Sequence, residues 1–588
     1  MQKNTTGAAS VHWNLSDLYP SAAALDLDIE AFSAEAHAFS ERYHGRLHEL
    51  DAGQWAEALA EYSSIQDRIG RAGTYSYLLW STDTVDPDRG KLLQRVREAY
   101  TEAGKKMLFV ELEWIALDES KAAELLGTEA LQPYRHYLEV QRLMAPHVLT
   151  EPEEKILTEK SVTGKAAWNR FFDETLGAAT FKVEGETLTE QEILARMHEP
   201  DRNTRRDAAL GFTEGLNDHL RTLTFVFNTI LAEKASDDRL RNHASWLSAR
   251  NLSNEVSDEI VGALVSAVSG RFDLSRRHYA LKKRLLGYDE MFDYDRYAPL
   301  PEADAFYTWE EARDIVLAAY RSFHPEMALI AQRFFDESWI DAAVTPGKRG
   351  GAFSHGAVPS AHPYILMNFT GRVRDVQTLA HELGHGIHQY LSRRQGILQA
   401  DTPLTTAETA SVFGEMLVFK SLLDIESDPA SRRAMLVAKI DDTMATVFRQ
   451  ISMHLFEAEV HSHRRTSGEL NSQEISRYWR STQERMFDGS VTLGPHYDIW
   501  WSYIPHFIHT PGYVYAYAFG ELLVLALHEE YQRRGESFAD AYIGLLSAGG
   551  SDWPHNLVAG LGVDLTARDF WEKGLNAVEA LIEEAEGV

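Results

Sequence analysis

The chain has 588 residues, enough to bury more than one core. It carries 58 Lys and Arg against 88 Asp and Glu, a formal net charge of −30, which argues against phosphate backbones and anionic membrane surfaces as partners. It has no cysteine, so disulfides, thiolate nucleophiles, iron–sulfur clusters and Cys-based zinc sites are excluded, and any metal must rest on His, Asp or Glu.

In chain order, the opening MQKNTTGAASVHWNLSDLYPS lacks the basic-then-apolar pattern of a signal peptide. The most apolar run, YVYAYAFGELLVLALH, is broken by Glu521, well short of a membrane span. A soluble, cytoplasmic protein is expected. From about residue 20 to 200 amphipathic helical segments recur without a chemical motif, and a boundary is expected near 200, with a helical lobe over 1–200 and a second domain over 201–588. Within the first part, Phe181 and Val183 in ATFKVEGETL alternate around a Gly-containing turn and predict a short hairpin. Ser257 followed by Asp258 and Glu259 predicts a capped helix, with Ile260, Leu264, Val265, Val268 and Phe272 on its apolar side. Gly and Pro then concentrate at 344–370, ending in a β-prone run from Tyr364 to Phe369. Asp375 is placed to cap a following helix whose Val376, Leu379, Leu383, Ile387 and Tyr390 share one face. No repeat period, heptad run or low-complexity tract stands out.

That helix carries the chemistry. His381-Glu382-Leu383-Gly384-His385 is an H-E-x-x-H motif, and residues i and i+4 of a helix lie one turn apart on one side, so two imidazoles can share a zinc ion. Glu382 is offset by about 100° around the axis and can act as general base without being a ligand. His388 is on the histidine face but about 10 Å along the axis from His381, which suits a supporting or substrate-facing role better than ligation. The longer metzincin motif is excluded, because it needs Gly at 388 and His at 391, where the chain has His388 and Leu391.

A catalytic zinc on two His needs a third protein ligand, and without cysteine the candidate is a carboxylate. Glu408, Ser411 and Glu415 stand at i, i+3 and i+7, so one carboxylate could bind the metal while the other orients a histidine N–H or pairs with a cation. A second cluster, IPHFIHTPGYVYAYAFG, brings His506, His509, Tyr513, Tyr515 and Tyr517 beside a Pro-Gly break, a density of donors suited to a substrate loop and an oxyanion. On a helix Tyr513 and Tyr517 would share a face and Tyr515 would not.

Taken together these residues resemble the thimet oligopeptidase/oligoendopeptidase F family of zinc peptidases, and within it the oligoendopeptidase F branch. The resemblance is carried by WNLSDLYPS, DYDRYAPLP around Tyr297, GKRGGAF at 347–353, PYILMNFTGRVRDVQTLAHELGHGIHQ, ETASVFGE and the IPHF…YVYAYAFG segment. It implies a mainly α fold of two helical lobes flanking a deep channel, with a small β-sheet element beside the active-site helix. It implies one Zn²⁺ per chain on His381, His385 and Glu408, Glu382 as general base, and His506 with Tyr513 and Tyr517 at the substrate carbonyl and oxyanion; Tyr515 could take either tyrosine's place. GGAFSHG, with Gly351 and Ala352, is similar to the family's strand that pairs with substrate backbone. His388, His509 and Tyr515 complete the expected substrate contacts.

The function expected is therefore a zinc-dependent oligoendopeptidase acting on short unstructured peptides, with no nucleic-acid or membrane partner. A carboxypeptidase or dipeptidyl carboxypeptidase on the same scaffold is the alternative. A di-iron protein using Glu382-x-x-His385 and Glu41-x-x-His44 is a weaker reading, and so is a silent helical scaffold, which would not require Glu382.

Overall fold

The computed structural model describes residues 6–300 and 305–588. The first five residues of the opening segment and the end of the DYDRYAPLP stretch lie outside the described residues. The chain is mainly α, with five short strands among the described residues: β1 (Phe181–Val183), β2 (Glu186–Leu188), β3 (Ile340–Asp341), β4 (Phe353–His355) and β5 (Tyr364–Leu366). It forms two compact units, neither continuous in the chain. One combines Met1–Ala145, Asp304–Ile425 and Glu530–Val563; the other combines Pro146–Ala303, Glu426–Glu529 and Asp564–Val588. Among the described residues no helix is long and apolar enough to cross a membrane.

The first unit buries Leu25, Phe32 and Phe39 of the helix Ala22–Tyr43 against Trp55, Ile65 and Ile69 of Ala52–Ser81 and against Trp114. Each such burial contributes roughly 1.5–3 kcal/mol. The Ala52–Ser81 helix starts where it does because Asp51 and Gln54 form a reciprocal capping box, the Gln54 N–H donating to Asp51 Oδ1 (2.9 Å) and the Asp51 N–H to Gln54 Oε1 (3.0 Å). A three-stranded sheet of order β3-β5-β4 belongs to this unit. β5 is central and fully buried, parallel to β3 and antiparallel to β4, so β4 is an edge strand. The β-prone run 364–369 is only half strand: after Leu366 the chain keeps two ladder-like bonds, Met367 N–H to Asp341 O and Phe369 N–H to Ala342 O, while leaving regular pairing. β4 and β5 both pack on the helix Val373–Ser392, so the small sheet beside the HExxH helix is present as expected. Asp375 caps that helix from its third position rather than preceding it. Its Oδ2 accepts from the Thr370 and Arg372 N–H groups and from the Thr370 hydroxyl.

In the second unit the predicted hairpin is formed, Phe181 pairing with Leu188 and Val183 with Glu186. Its turn residues Glu184 and Gly185 both have positive φ, 52° and 86°, as a two-residue hairpin of this hand requires. Phe181 and Val183 lie against the long helix Arg202–Leu240 at Gly211 and Gly215, in a core with Phe212, Phe456, Trp479 and Trp500. Residue 200, where the sequence suggests a boundary, therefore falls inside the second unit, because the helix that follows it packs on the hairpin that precedes it. The capped helix is observed as Asp258–Ser269, with the Ile260 N–H donating to Ser257 Oγ; Phe272 begins the next helix instead of ending this one.

Candidate active site

His381 and His385 project from one side of the helix Val373–Ser392, and both aim Nε2 at the same carboxylate oxygen. Glu408 Oε2 is 3.5 Å from His381 Nε2 and 3.3 Å from His385 Nε2. Among the described residues these three form the one group of His, Asp or Glu ligand atoms that lie within 4.8 Å of one another. Glu41, the other half of the di-iron reading, is instead an exposed partner of His37.

Close approach of two helices makes this possible. Glu408 caps the short turn Leu404–Ala407, directly before the helix Thr409–Ile425 that crosses the HExxH helix. At the crossing is Gly384, where a Cβ would come 2.4 Å from Ala410 O and 2.6 Å from Ser411 Cα. One of the two variable positions of HExxH is thus fixed by packing. The two carboxylates left open by spacing now separate: Glu408 joins both Nε2 atoms, while Glu415 Oε2 lies 3.3 Å from His381 Nδ1 and holds the ring from behind. The Ser411 hydroxyl donates to Glu408 Oε2 at 2.6 Å.

The electrostatics follow this geometry. Burial alone would raise Glu408, but the hydrogen bond and charge of His385, with His381 and Ser411, bring it down to about 2. Burial would lower His381, yet the Glu415 hydrogen bond and the charges of Glu408 and Glu382 raise it. Glu382 is 7% exposed, and burial pushes its carboxyl up against the opposing pull of the two histidines. The Ser354 N–H of edge strand β4 is beside it, and the Ser354 hydroxyl donates to Gln389 Oε1 (2.8 Å), tying strand to helix. Gly351 and Ala352 immediately precede β4, with Gly351 at φ 78° and its carbonyl accepting from Asn368. His388 is buried, its imidazole pushed down to about 4 by desolvation and by His385. It supports the helix from inside instead of facing a substrate.

The second unit holds the other cluster. His506 Nε2 is 3.0 Å from the Tyr517 hydroxyl, and the His506 ring is parallel to Tyr513 at 6.0 Å. Tyr513 and Tyr517 meet edge to face at 5.0 Å. Burial, His509 and Arg449 lower His506, keeping the ring neutral. Two expected members lie elsewhere. Tyr515 is fully buried, its hydroxyl donating to Asn251 Oδ1 (2.8 Å) and accepting from Asn254 Nδ2 (2.9 Å), so it anchors the loop and does not contact substrate. His509, three residues along the turn His506–His509, pairs with Asp173 at 2.8 Å.

Sequence reasoning missed the buried clamp beneath this loop. The Gly512 N–H donates to Glu457 Oε1 (2.8 Å), and Gly512 has φ 78° over Trp246 and Leu247. Glu457 is 1% exposed and desolvation raises its carboxyl to about 8. It sits in an ordinary helix with no motif around it; the Pro-Gly break was the only signal of a constrained backbone here.

A mainly helical chain in which an HExxH helix meets a carboxylate held directly before a crossing helix is a metallopeptidase. Comparison with known proteins gives the family. Residues 195–577 match the model described as Peptidase family M3 and residues 113–181 the one described as Oligopeptidase F. The chain belongs to peptidase family M3. It is 28% identical over 583 residues to oligopeptidase PepF of Bacillus subtilis, covering 98% of this chain and 86% of that protein. A solved structure from Chlamydophila abortus aligns with TM-score 0.89 at 25% identity, covering 98% of each chain. Oligoendopeptidase-F from Enterococcus faecium aligns with TM-score 0.72 at 23% identity, over 96% of this chain and 98% of that one, a likeness of fold. The activity is that of a peptidase acting on oligopeptides.

Proposed function

We propose that this chain is a zinc-dependent oligoendopeptidase, cutting internal bonds of short unstructured peptides. The observation that carries the reading is the convergence of His381 Nε2, His385 Nε2 and Glu408 Oε2, with Glu382 buried beside them. Two imidazoles and one carboxylate, with no thiolate in the chain, suit zinc with one position left open. Zinc held there supplies a Lewis acid and lowers the pKa of water.

The remaining steps belong to the chain's own side chains. Glu382, raised by burial, takes the proton of the attacking water and returns it to the departing amine. His381 is kept in one orientation by Glu415, and Ser411 holds the inner oxygen of Glu408. His506, Tyr513 and Tyr517 act as the donors to substrate carbonyl and oxyanion, supported by their mutual contacts. Edge strand β4, with Gly351 and Ala352 leading into it, offers backbone groups to an extended peptide. We place the activity in the cytoplasm, as part of peptide turnover, which cell fractionation checks.

The test is hydrolysis of an internally quenched, doubly blocked peptide of about ten residues by metal-stripped protein, with and without added Zn²⁺, followed by mass spectrometry of the fragments. Zinc-dependent internal cuts are expected. Cleavage confined to peptides with a free C-terminus would move the reading to a carboxypeptidase or dipeptidyl carboxypeptidase.

A further inference from the structure

A cationic cavity lies beside His506 in the second unit, in a protein whose net charge is −30. It has a volume of about 160 Å³ and is lined by Arg296, Arg449, Trp479, Tyr497, Trp500, Tyr503 and His506 among others. Arg296 belongs to the DYDRYAPLP stretch, which the peptidase chemistry leaves unexplained. It is 7% exposed and wrapped by aromatic rings, its guanidinium 4.6 Å from the centre of Tyr297 and 5.1 Å from that of Tyr497. It donates to the Tyr497 hydroxyl (3.0 Å) and the Tyr297 hydroxyl (2.7 Å), while its Nε is buried without a partner. Arg449 reaches Tyr297 only at 3.5 Å, and its Nε is likewise buried and unpartnered.

Neither guanidinium forms an ion pair among the described residues. The carboxylates near in sequence are committed elsewhere: Asp293 to His496 (2.7 Å) and the Gly494 N–H, Asp295 to Arg202 (2.7 Å) and Arg205 (3.1 Å). Phenols and ring faces offset part of the desolvation of a buried cation, and although burial would raise the Tyr297 hydroxyl, the charges of Arg296 and Arg449 lower it; none of these groups is a carboxylate. A buried guanidinium, Arg296, and a half-buried one, Arg449, around an open volume are a pattern that a small anion completes. The volume exceeds what a few waters need and admits a halide or a carboxylate.

We propose that this cavity binds a small anion between Arg296 and Arg449, either a free inorganic anion or the terminal carboxylate of a peptide. An anion there offsets the Arg449 charge that acts on His506, so occupancy tunes the proposed oxyanion donor; that consequence, unlike the binding itself, rests on the functional reading above.

The test reads binding apart from catalysis. The melting temperature of the zinc-loaded protein is followed as chloride replaces camphorsulfonate, whose charged group sits against a bulky bicyclic ring and is not a carboxylate, at fixed ionic strength. The wild type is expected to show a saturable rise with chloride, Arg449→Gln none, and Arg449→Lys an intermediate one. The lysine variant keeps the test valid should the glutamine variant fold poorly. KM is then compared for a peptide bearing a free or an amidated C-terminus. A lower KM for the free acid, lost in Arg449→Gln and raised competitively by chloride, identifies the peptide carboxylate as occupant; equal KM values identify the free anion. Identical melting in both salts together with an acid-to-amide KM ratio unaffected by Arg449→Gln would overturn the proposal, as would a chloride response that Arg449→Gln retains. An inactive protein that still shows the Arg449-dependent rise would leave the site standing and remove only the peptidase role of its neighbours.

Discussion

The histidine–glutamate cluster and the His506–tyrosine cluster are held in opposite ways. In the first, spacing along one helix brings His381 and His385 together, and a single close crossing at Gly384 delivers Glu408, Ser411 and Glu415. In the second, Tyr513, Tyr515 and Tyr517 are near neighbours in sequence but are sorted by contacts from far along the chain: Asn251 and Asn254 take Tyr515, and Glu457 pins Gly512. A metal-type site can be built from local periodicity and one small residue. A loop of donors needs a buried polar frame, whose unpaired alternatives are costly.

The contrast is broken most severely at Glu408. Glu408→Ala is expected to abolish stoichiometric zinc binding, measured by metal analysis after dialysis, whereas Glu415→Ala, which removes the partner of His381 Nδ1, should weaken zinc affinity by about 10–100-fold. In the second cluster Tyr517→Phe is expected to lower kcat by about 10²–10³-fold with the melting temperature unchanged. Tyr515→Phe should do the reverse, costing about 1–3 kcal/mol in urea unfolding by taking the hydroxyl away from Asn251 Oδ1 and Asn254 Nδ2, with kcat preserved. A lost kcat in Tyr515→Phe and none in Tyr517→Phe would exchange the two roles.

The smallest effect concerns Glu457. Its folded carboxyl holds a proton up to about pH 8, against 4.5 for the ordinary value, because it is desolvated. Between those limits the folded protein binds a proton that the unfolded chain has released, so stability from this group falls as pH rises from about 4.5 to 8 and is level above. Glu457→Gln imitates the protonated acid. The difference between wild-type and variant unfolding free energies, measured in urea from pH 5 to 8.5, is expected to grow in the variant's favour with rising pH.

Much of the first region was legible in the sequence because its signals are periodic. HExxH places two ligands on one helix face, and the resemblance to a known family selects Glu408 over Glu415; in the second unit the alternation of Phe181 and Val183 likewise gives the hairpin. Asp375 caps as its sequence suggests, but from the third helical residue, because a carboxylate there reaches back to the same N–H groups. The second region was half legible. Helical spacing sets Tyr515 apart from Tyr513 and Tyr517, but a buried tyrosine and a half-buried one look alike until Asn251 and Asn254 are brought in from some 260 residues away. The boundary near 200 illustrates the same limit. Units defined by contact are assembled from segments that chain order separates.

The account stands or falls on Glu382 as the base beside a bound zinc. Glu382→Gln keeps the shape of the side chain and removes its basicity, so the decisive measurement pairs zinc content with turnover of the blocked peptide in one preparation. The account predicts one zinc per chain with kcat reduced by at least about 10²–10⁴-fold. A zinc-loaded Glu382→Gln protein turning over at the wild-type rate would contradict it.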